Sequence, residues 1–416
     1  MSLPLPKTDG LSNTGALAST IDPDAPAVDT PNQASWIRAM FEGADGIRLI
    51  QTQLDGLMEN PADAARYMSL GVLYQLIGRK FEALACQDAA LMHGRLFREA
   101  PHPPVPASFT LLVFVARGDL MTNTPIELLL EGRPVSVLRL YIDPDLPLPE
   151  TVPEHDLAMV AISESDESRA LLERLAGVAW PRPVINAAEA ILDLSRDRLW
   201  SKLDDIDGVV LPPTLRTPRA LAFANAAQLA LSHGQPLLIR PVGSHAGVGL
   251  SRIEDTEGLE AYLDESAAEA FFLSRFIDYA GPDGRYRKYR IALFDGKPYL
   301  AHMAVGDHWM VHYLNAGMAD SAPKRVEEAA AMLSFDYHFA VRHAAALAEI
   351  SRRVGLEYFA LDCAETPDGQ LLVFEADVGM IVHALDPADV YPYKAPQMRK
   401  VFAAFEAMLR AKAAGA

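Results

Sequence analysis

A chain of 416 residues is long enough for two or three domains, and with half of them hydrophobic and 22% charged it has the balance of a soluble globular protein rather than a disordered or fibrous one. Its 37 lysines and arginines against 55 aspartates and glutamates leave a net charge of −18, which repels phosphate backbones and anionic lipid and argues against nucleic acid and membrane as partners. Two distant cysteines, Cys86 and Cys363, make neither a disulfide framework nor a zinc spacing. With no apolar leader in the first ten residues and no apolar run near the roughly 20 needed to span a bilayer, a cytoplasmic location is expected.

Residues 1–32, rich in Pro, Ser, Thr, Asp and Ala, are expected to form a disordered tail. Residues 33–100 read as helical: Trp36, Met40 and Phe41, then Ile47, Ile50, Leu54 and Leu57, recur at helical spacing, and Asn60-Pro61 stops the pattern. From Tyr67 the positions Leu70, Gly71, Tyr74, Gly78, Ala83 and Ala90 match the spacings of one tetratricopeptide repeat. An ordinary helical hairpin fits equally well; a groove for a protein or peptide partner is the sharper reading. Pro101, Pro103, Pro104 and Pro106 mark a linker over 101–106, so the helices are expected to be dispensable for ligand binding further along.

Beyond the linker the period changes. Leu111–Val115, Val135–Ile142 and Leu157–Ile162 read as buried strands, Pro125–Leu130 and Ser165–Gly177 as helices, giving a small α/β domain with a parallel sheet over 107–192. The remainder, 193–416, reads as α+β. Asp295-Gly296 and Asp368-Gly369 are hairpin turns, and Phe339, His343, Leu347, Ile350 and Val354 stripe one long helix that Gly355 ends.

The second hairpin carries acids. With Asp368-Gly369 as a two-residue turn, Asp362 falls opposite Glu375, and Asp377 shares their face, whereas Cys363, Leu372 and Phe374 go to the other side. Opposed like charges call for something positive between them, and two or three carboxylates suit Mg2+ bound together with phosphates. Upstream, Leu237-Leu238-Ile239 ends in Arg240 and a loop with Gly243, Ser244, Gly247 and Gly249, whose backbone N–H groups can close over an anion. Arg285, Arg287, Lys288 and Arg290 crowd one strand. Simple pairing about Asp295-Gly296 puts Arg290 with Lys288, Ala301 and Met303 and sets His302 on the opposite face, unless a bulge intervenes. Arg290 is therefore the choice, with His302 second; His308, His312 and Asn315 are placed on the acceptor side.

Taken in order, residues 107–395 resemble the ATP-grasp superfamily, in its branch of RimK-like and glutathione-synthetase-like ligases. The resemblance runs through Pro183–Asn186, Asp197-Arg198 where that group has Asp-Lys, the strand 209–214, the glycine loop, the hinge Phe271–Ile277, Arg290 and the acidic hairpin. It implies an α+β fold of two ATP-grasp lobes after a small α/β domain, and ATP with Mg2+ as cofactors, as one or two ions that Mn2+ can replace. ATP would lie on Arg198, Arg240, Gly243, Ser244, Gly247, Gly249, Phe276 and Ile277, with Asp362, Glu375 and Asp377 as metal ligands and Arg290 and Arg240 at the reaction centre. The implied activity joins a small-molecule or peptide carboxylate to an amine. The alternative is a non-catalytic ATP-binding adaptor, motivated by Arg198 and Arg240 standing where the group has lysines. Asp377 in place of a final asparagine, and Arg275 where the hinge is commonly acidic, are further departures.

Overall fold

The computed structural model describes residues 26–148, 152–180, 182–244 and 247–415. The expected tail up to residue 25 lies outside these, but its last part does not: Val28–Thr30 is strand β1, and Asn32 caps the helix Gln33–Phe41 by accepting from the Ala34 N–H at 3.0 Å. The α+β class expected from the sequence is the class observed.

The first sheet holds β1, β2 (Leu96–Glu99), β3 (Phe109–Ala116), β4 (Val135–Ile142), β5 (Leu157–Val160) and β6 (Val184–Ile185), in the order β1-β2-β4-β3-β5-β6. β3, β4, β5 and β6 pair in parallel. Their unbroken apolar runs, β4 buried at every position, suit strands covered on both faces. Here the expectation of an all-helical 33–100 needs correcting. β2 runs antiparallel to β4 and carries β1, so the N-terminal region contributes two strands to this sheet. Arg139 on β4 binds Glu99 on β2 at 2.6 Å and Glu127 at 2.7 Å, a buried triad that ties the two regions together. The helices Gln33–Phe41, Gly46–Glu59, Ala64–Leu76 and Lys80–Leu91 precede β2. A methyl group built on Gly71 would stand 3.4 Å from the Ala83 carbonyl, so the last two of these helices pack backbone to backbone.

The second sheet, β10-β9-β11-β8, is antiparallel: β8 (Thr214–Pro218), β9 (Leu237–Pro241), β10 (Ser251–Ile253) and β11 (Ala270–Arg275). It has its own small core around Leu237, Ile239, Phe271 and Leu273. The third sheet, β13-β12-β14-β15-β7, consists of β7 (Val209–Val210), β12 (Tyr286–Phe294), β13 (Lys297–Gly306), β14 (Tyr358–Glu365) and β15 (Leu371–Asp377). Its apolar face shares one continuous core with the first sheet and with the final helix Lys394–Ala414. Phe339, His343, Leu347, Ile350 and Val354 are all buried as the stripe predicts, although the helix is interrupted at His343. No helix among the described residues is long and apolar enough to cross a membrane.

Candidate functional site

A cavity of about 910 Å3 lies where the second and third sheets, the first sheet's loops and the N-terminal helices meet. Its floor is built from β12, β14 and β15. Asp295 (φ 49°) and Gly296 (φ 79°) make the tight turn that starts the β12–β13 hairpin. Phe294 through Ile291 pair with Lys297 through Leu300, but Arg290 pairs with His302, so Ala301 is an extra residue. This bulge corrects the simple register: Arg290 and His302 stand opposite one another and both border the cavity.

The acidic hairpin has a similar irregularity. Its turn spans five residues, with Glu365 opposite Leu371. A bulge at Phe374 then restores the expected pairing of Asp362 with Glu375 and of Ala360 with Asp377. Leu372 and Phe374 consequently border the cavity, not the opposite face, and only Cys363 keeps its expected place in the core.

Asp362 is fully buried and its carboxylate is already occupied. Arg290 grips it with two hydrogen bonds, Nε to Oδ1 at 2.8 Å and Nη2 to Oδ2 at 3.0 Å, and Lys288 Nζ reaches Oδ2 at 2.7 Å. Burial alone would push the carboxyl's pKa up, but these two cations outweigh it and hold it far below the usual range. Asp362 therefore clamps two cations in this structure, opposite the Glu375 with which it was expected to hold a metal. Burial would likewise raise Glu375, but Arg196 pairs with it and holds it low. Asp377 has no cationic partner among the described residues. Burial, with Glu375 nearby, pushes its carboxyl up to about 6 against the backbone N–H groups of Gly379, at 3.0 Å, and Val378 and the more distant Arg196. Among the described residues no three acidic, histidine or cysteine side chains form a metal cage. Glu375 and Asp377 are half-buried on one face of β15, and with Asp362 opposite Glu375 all three carboxylates border the cavity.

Across the cavity Arg240 ends β9. Its guanidinium bonds only Ser244, through Oγ at 3.3 Å and through the carbonyl, and no ion pair holds it among the described residues. Burial, helped by Arg196, lowers it to about 10, a sign of a cation without its anion. Gly243, Gly247 and Gly249 all take positive φ (76°, 76° and 66°), which explains the run of glycines. Among the described residues of the loop, Gly247 and Leu250 border the cavity, while Gly243, Ser244 and Gly249 do not; Ser244 contacts Arg240. Phe276 and Ile277, just past β11, line the wall, and Phe276 meets Trp309 edge-on at 5.7 Å.

Arg198 points away, toward the Leu192 carbonyl (3.3 Å) and Asp193. Arg196, one helical half-turn earlier, is the arginine that enters the site, and the sequence offered both in Ser195-Arg-Asp-Arg198. His302 and His312 border the cavity; burial lowers both, with Arg290 beside His302 and Lys288 and Arg290 beside His312 adding to it. His308 does not border it, and neither does Asn315, which fastens its own loop by accepting from the His312 N–H at 2.8 Å. Lys288 was legible as the same-face neighbour of Arg290. Lys394 was not: it borders the cavity on Asp386 (3.0 Å), Glu328 (3.2 Å) and Tyr313, three contacts from distant parts of the chain.

No family model and no curated protein matches this chain. Among solved structures it is similar to a RimK-domain ATP-grasp protein from Sphaerobacter thermophilus, at 17% identity over 72% of this chain and 99% of that one, with a TM-score of 0.42. It is similar also to a D-alanine–D-alanine ligase from Bacillus anthracis complexed with ATP, at 18% identity over 73% and 98% of the two chains and a TM-score of 0.42. A third is the ATP-grasp ligase PsnB complexed with its precursor peptide and AMPPNP, at 12% identity over 73% and 99% and a TM-score of 0.39. Two of these three are ATP-grasp proteins by name, the superfamily that the sequence resembles.

Proposed function

We propose that this chain is an ATP-dependent ligase of the ATP-grasp type that joins a carboxylate to an amine. The observation that carries the reading is Arg240: a half-buried guanidinium beside a glycine loop, facing a large cavity, with no ion pair among the described residues. Leaving such a charge unpaired costs several kcal/mol, so an anion belongs there, and a polyphosphate lying between Arg240 and Arg196 supplies it. Phe276 and Ile277 offer the apolar wall for a base.

The reaction that fits runs in two steps. The substrate carboxylate attacks the γ-phosphorus of ATP, giving an acyl phosphate and ADP. The amine then attacks the acyl carbon, and phosphate leaves with the amide formed. Asp362, Glu375 and Asp377 would hold Mg2+ together with the phosphates, where it would offset their negative charge. Lys288 and Arg290, pinned by Asp362, would face the carboxylate and the oxyanion that forms when the amine adds to the acyl carbon, as a preorganised cationic floor. His302, held neutral beside Arg290, adds no competing charge.

The test is ADP release by the full chain with ATP, Mg2+ and a panel of carboxylates and amines. ADP formation that requires both co-substrates supports the ligase. Tight ATP binding without turnover across the panel would instead favour the non-catalytic nucleotide-binding alternative.

A further inference from the structure

The cavity is larger than a nucleotide's phosphate site needs, and its far end has a different character. There it is walled by Ile37 and Phe41 from the helix Gln33–Phe41, Leu76 from the helix Ala64–Leu76, and Met121, Leu128 and Ile381 from three other segments. Ile37, Leu76, Leu128 and Ile381 pack in one cluster with Ala34, Val72 and Leu385, so this wall is fixed. The first helix is fastened over the cavity: Arg38 pairs with Glu131 and donates to the Ala384 carbonyl at 3.2 Å. Phe41 lies at the end of that helix, 60% exposed, with its ring 6.4 Å from that of His383. Glu127 borders the same end, but its carboxylate is committed to Arg139.

The apolar wall meets the cationic floor at one point. Arg290 Nη1 donates to the Ile381 carbonyl at 3.1 Å, so the guanidinium sits directly against the apolar end. Arg290 and Lys288 share a single ion-pair partner, Asp362, so two cations border the cavity on one paired carboxylate. A ligand complementary to this arrangement has a carboxylate at one end and a hydrocarbon chain at the other. We infer that the N-terminal helices roof an acyl subsite, and that the carboxylate substrate carries an apolar chain of several carbons. This rests on the ligase reading for its chemistry, but the subsite can be tested by binding alone.

The experiment uses the full chain and straight-chain carboxylates from acetate to octanoate, titrated by calorimetry, with ATP titrated separately. Affinity rises with chain length, by roughly fourfold per methylene while each is buried. Phe41→Asp flattens the series and weakens octanoate at least about tenfold, as expected for losing several buried methylenes, with ATP affinity unchanged. Leu76→Asp, on the neighbouring helix, gives the same pattern and serves if the first variant does not fold. A flat series in the unmodified chain overturns the subsite, as does an octanoate affinity that both variants leave untouched. A protein that binds octanoate with the expected slope but not ATP keeps the subsite and overturns the ligase reading; one that binds ATP with a flat series does the reverse.

Discussion

Single side chains decide what the cavity can hold. Arg240 has its two contacts on Ser244 of its own loop, an arrangement a phosphate can replace without disturbing the fold. Arg240→Ala should weaken ATP by about 10- to 100-fold, the size of a lost charge-assisted hydrogen bond or two, while AMP changes far less. Arg240→Lys should restore only part, because the charge returns and the fork does not. Calorimetry of both nucleotides on both variants checks this, and equal losses for ATP and AMP would assign Arg240 to the fold. Arg240 was legible because a cation closing an apolar strand is conspicuous within a few residues of sequence. The two ion pairs of Asp362 were not legible. Its partners come from β12, and the pairing of Arg290 with Asp362 across β12 and β14 lies outside what either hairpin's local pattern can state.

At the scale of elements, both hairpins were readable and both registers were irregular. In the acidic hairpin the longer turn and the bulge at Phe374 offset each other, so the opposition of Asp362 and Glu375 survives a wrong turn geometry. In the basic hairpin the extra residue Ala301 changes the answer and brings His302 to the site. A bulge leaves no mark in alternation when the residue inserted is a small apolar one among apolar neighbours. The helical stripe from Phe339 to Val354 was readable too, and its interruption has a partner: His343 Nε2 meets Glu365 Oε1 at 2.8 Å, and Arg342 binds the same carboxylate at 2.8 Å. Burial would raise the Glu365 carboxyl, but His343 and Arg342 outweigh it and hold it below its ordinary value. A carboxyl depressed in the folded state contributes stability above its unfolded pKa of about 4.3, and that contribution is lost as pH falls through the folded value. Glu365→Gln should therefore cost roughly 1–2 kcal/mol at pH 7 and progressively less below about pH 4. Urea unfolding at the two pH values checks it, and a penalty independent of pH would exclude the charge as its source.

At the scale of the whole molecule, the proline-rich stretch misleads. It reads as a boundary between a dispensable helical part and the rest, yet β2 lies before it and pairs with β4 after it. A chain that starts at Pro106 loses β1 and β2, bares the edge of β4, and leaves Arg139 with Glu127 alone in a buried place. Breaking a buried ion network of this kind costs about 3–5 kcal/mol, which is a large share of a typical domain's stability. The truncated chain should be aggregated or unfolded by size-exclusion chromatography and circular dichroism. A monomeric fragment with the full chain's denaturation midpoint would mean that the first sheet stands without its N-terminal strands. Two strands of three and four residues, paired across the linker, give no pattern long enough to read in advance.

The cavity has Ile37 near one end of the chain on its wall and Lys394 near the other. During synthesis the glycine loop, the basic strand and the acidic hairpin all emerge before Lys394, so the part of the wall that this residue builds on Asp386 and Glu328 is added after them. Any ligand that touches both parts of this wall stabilises the span from Ile37 to Lys394 as one unit, so its occupancy reports on the integrity of that span.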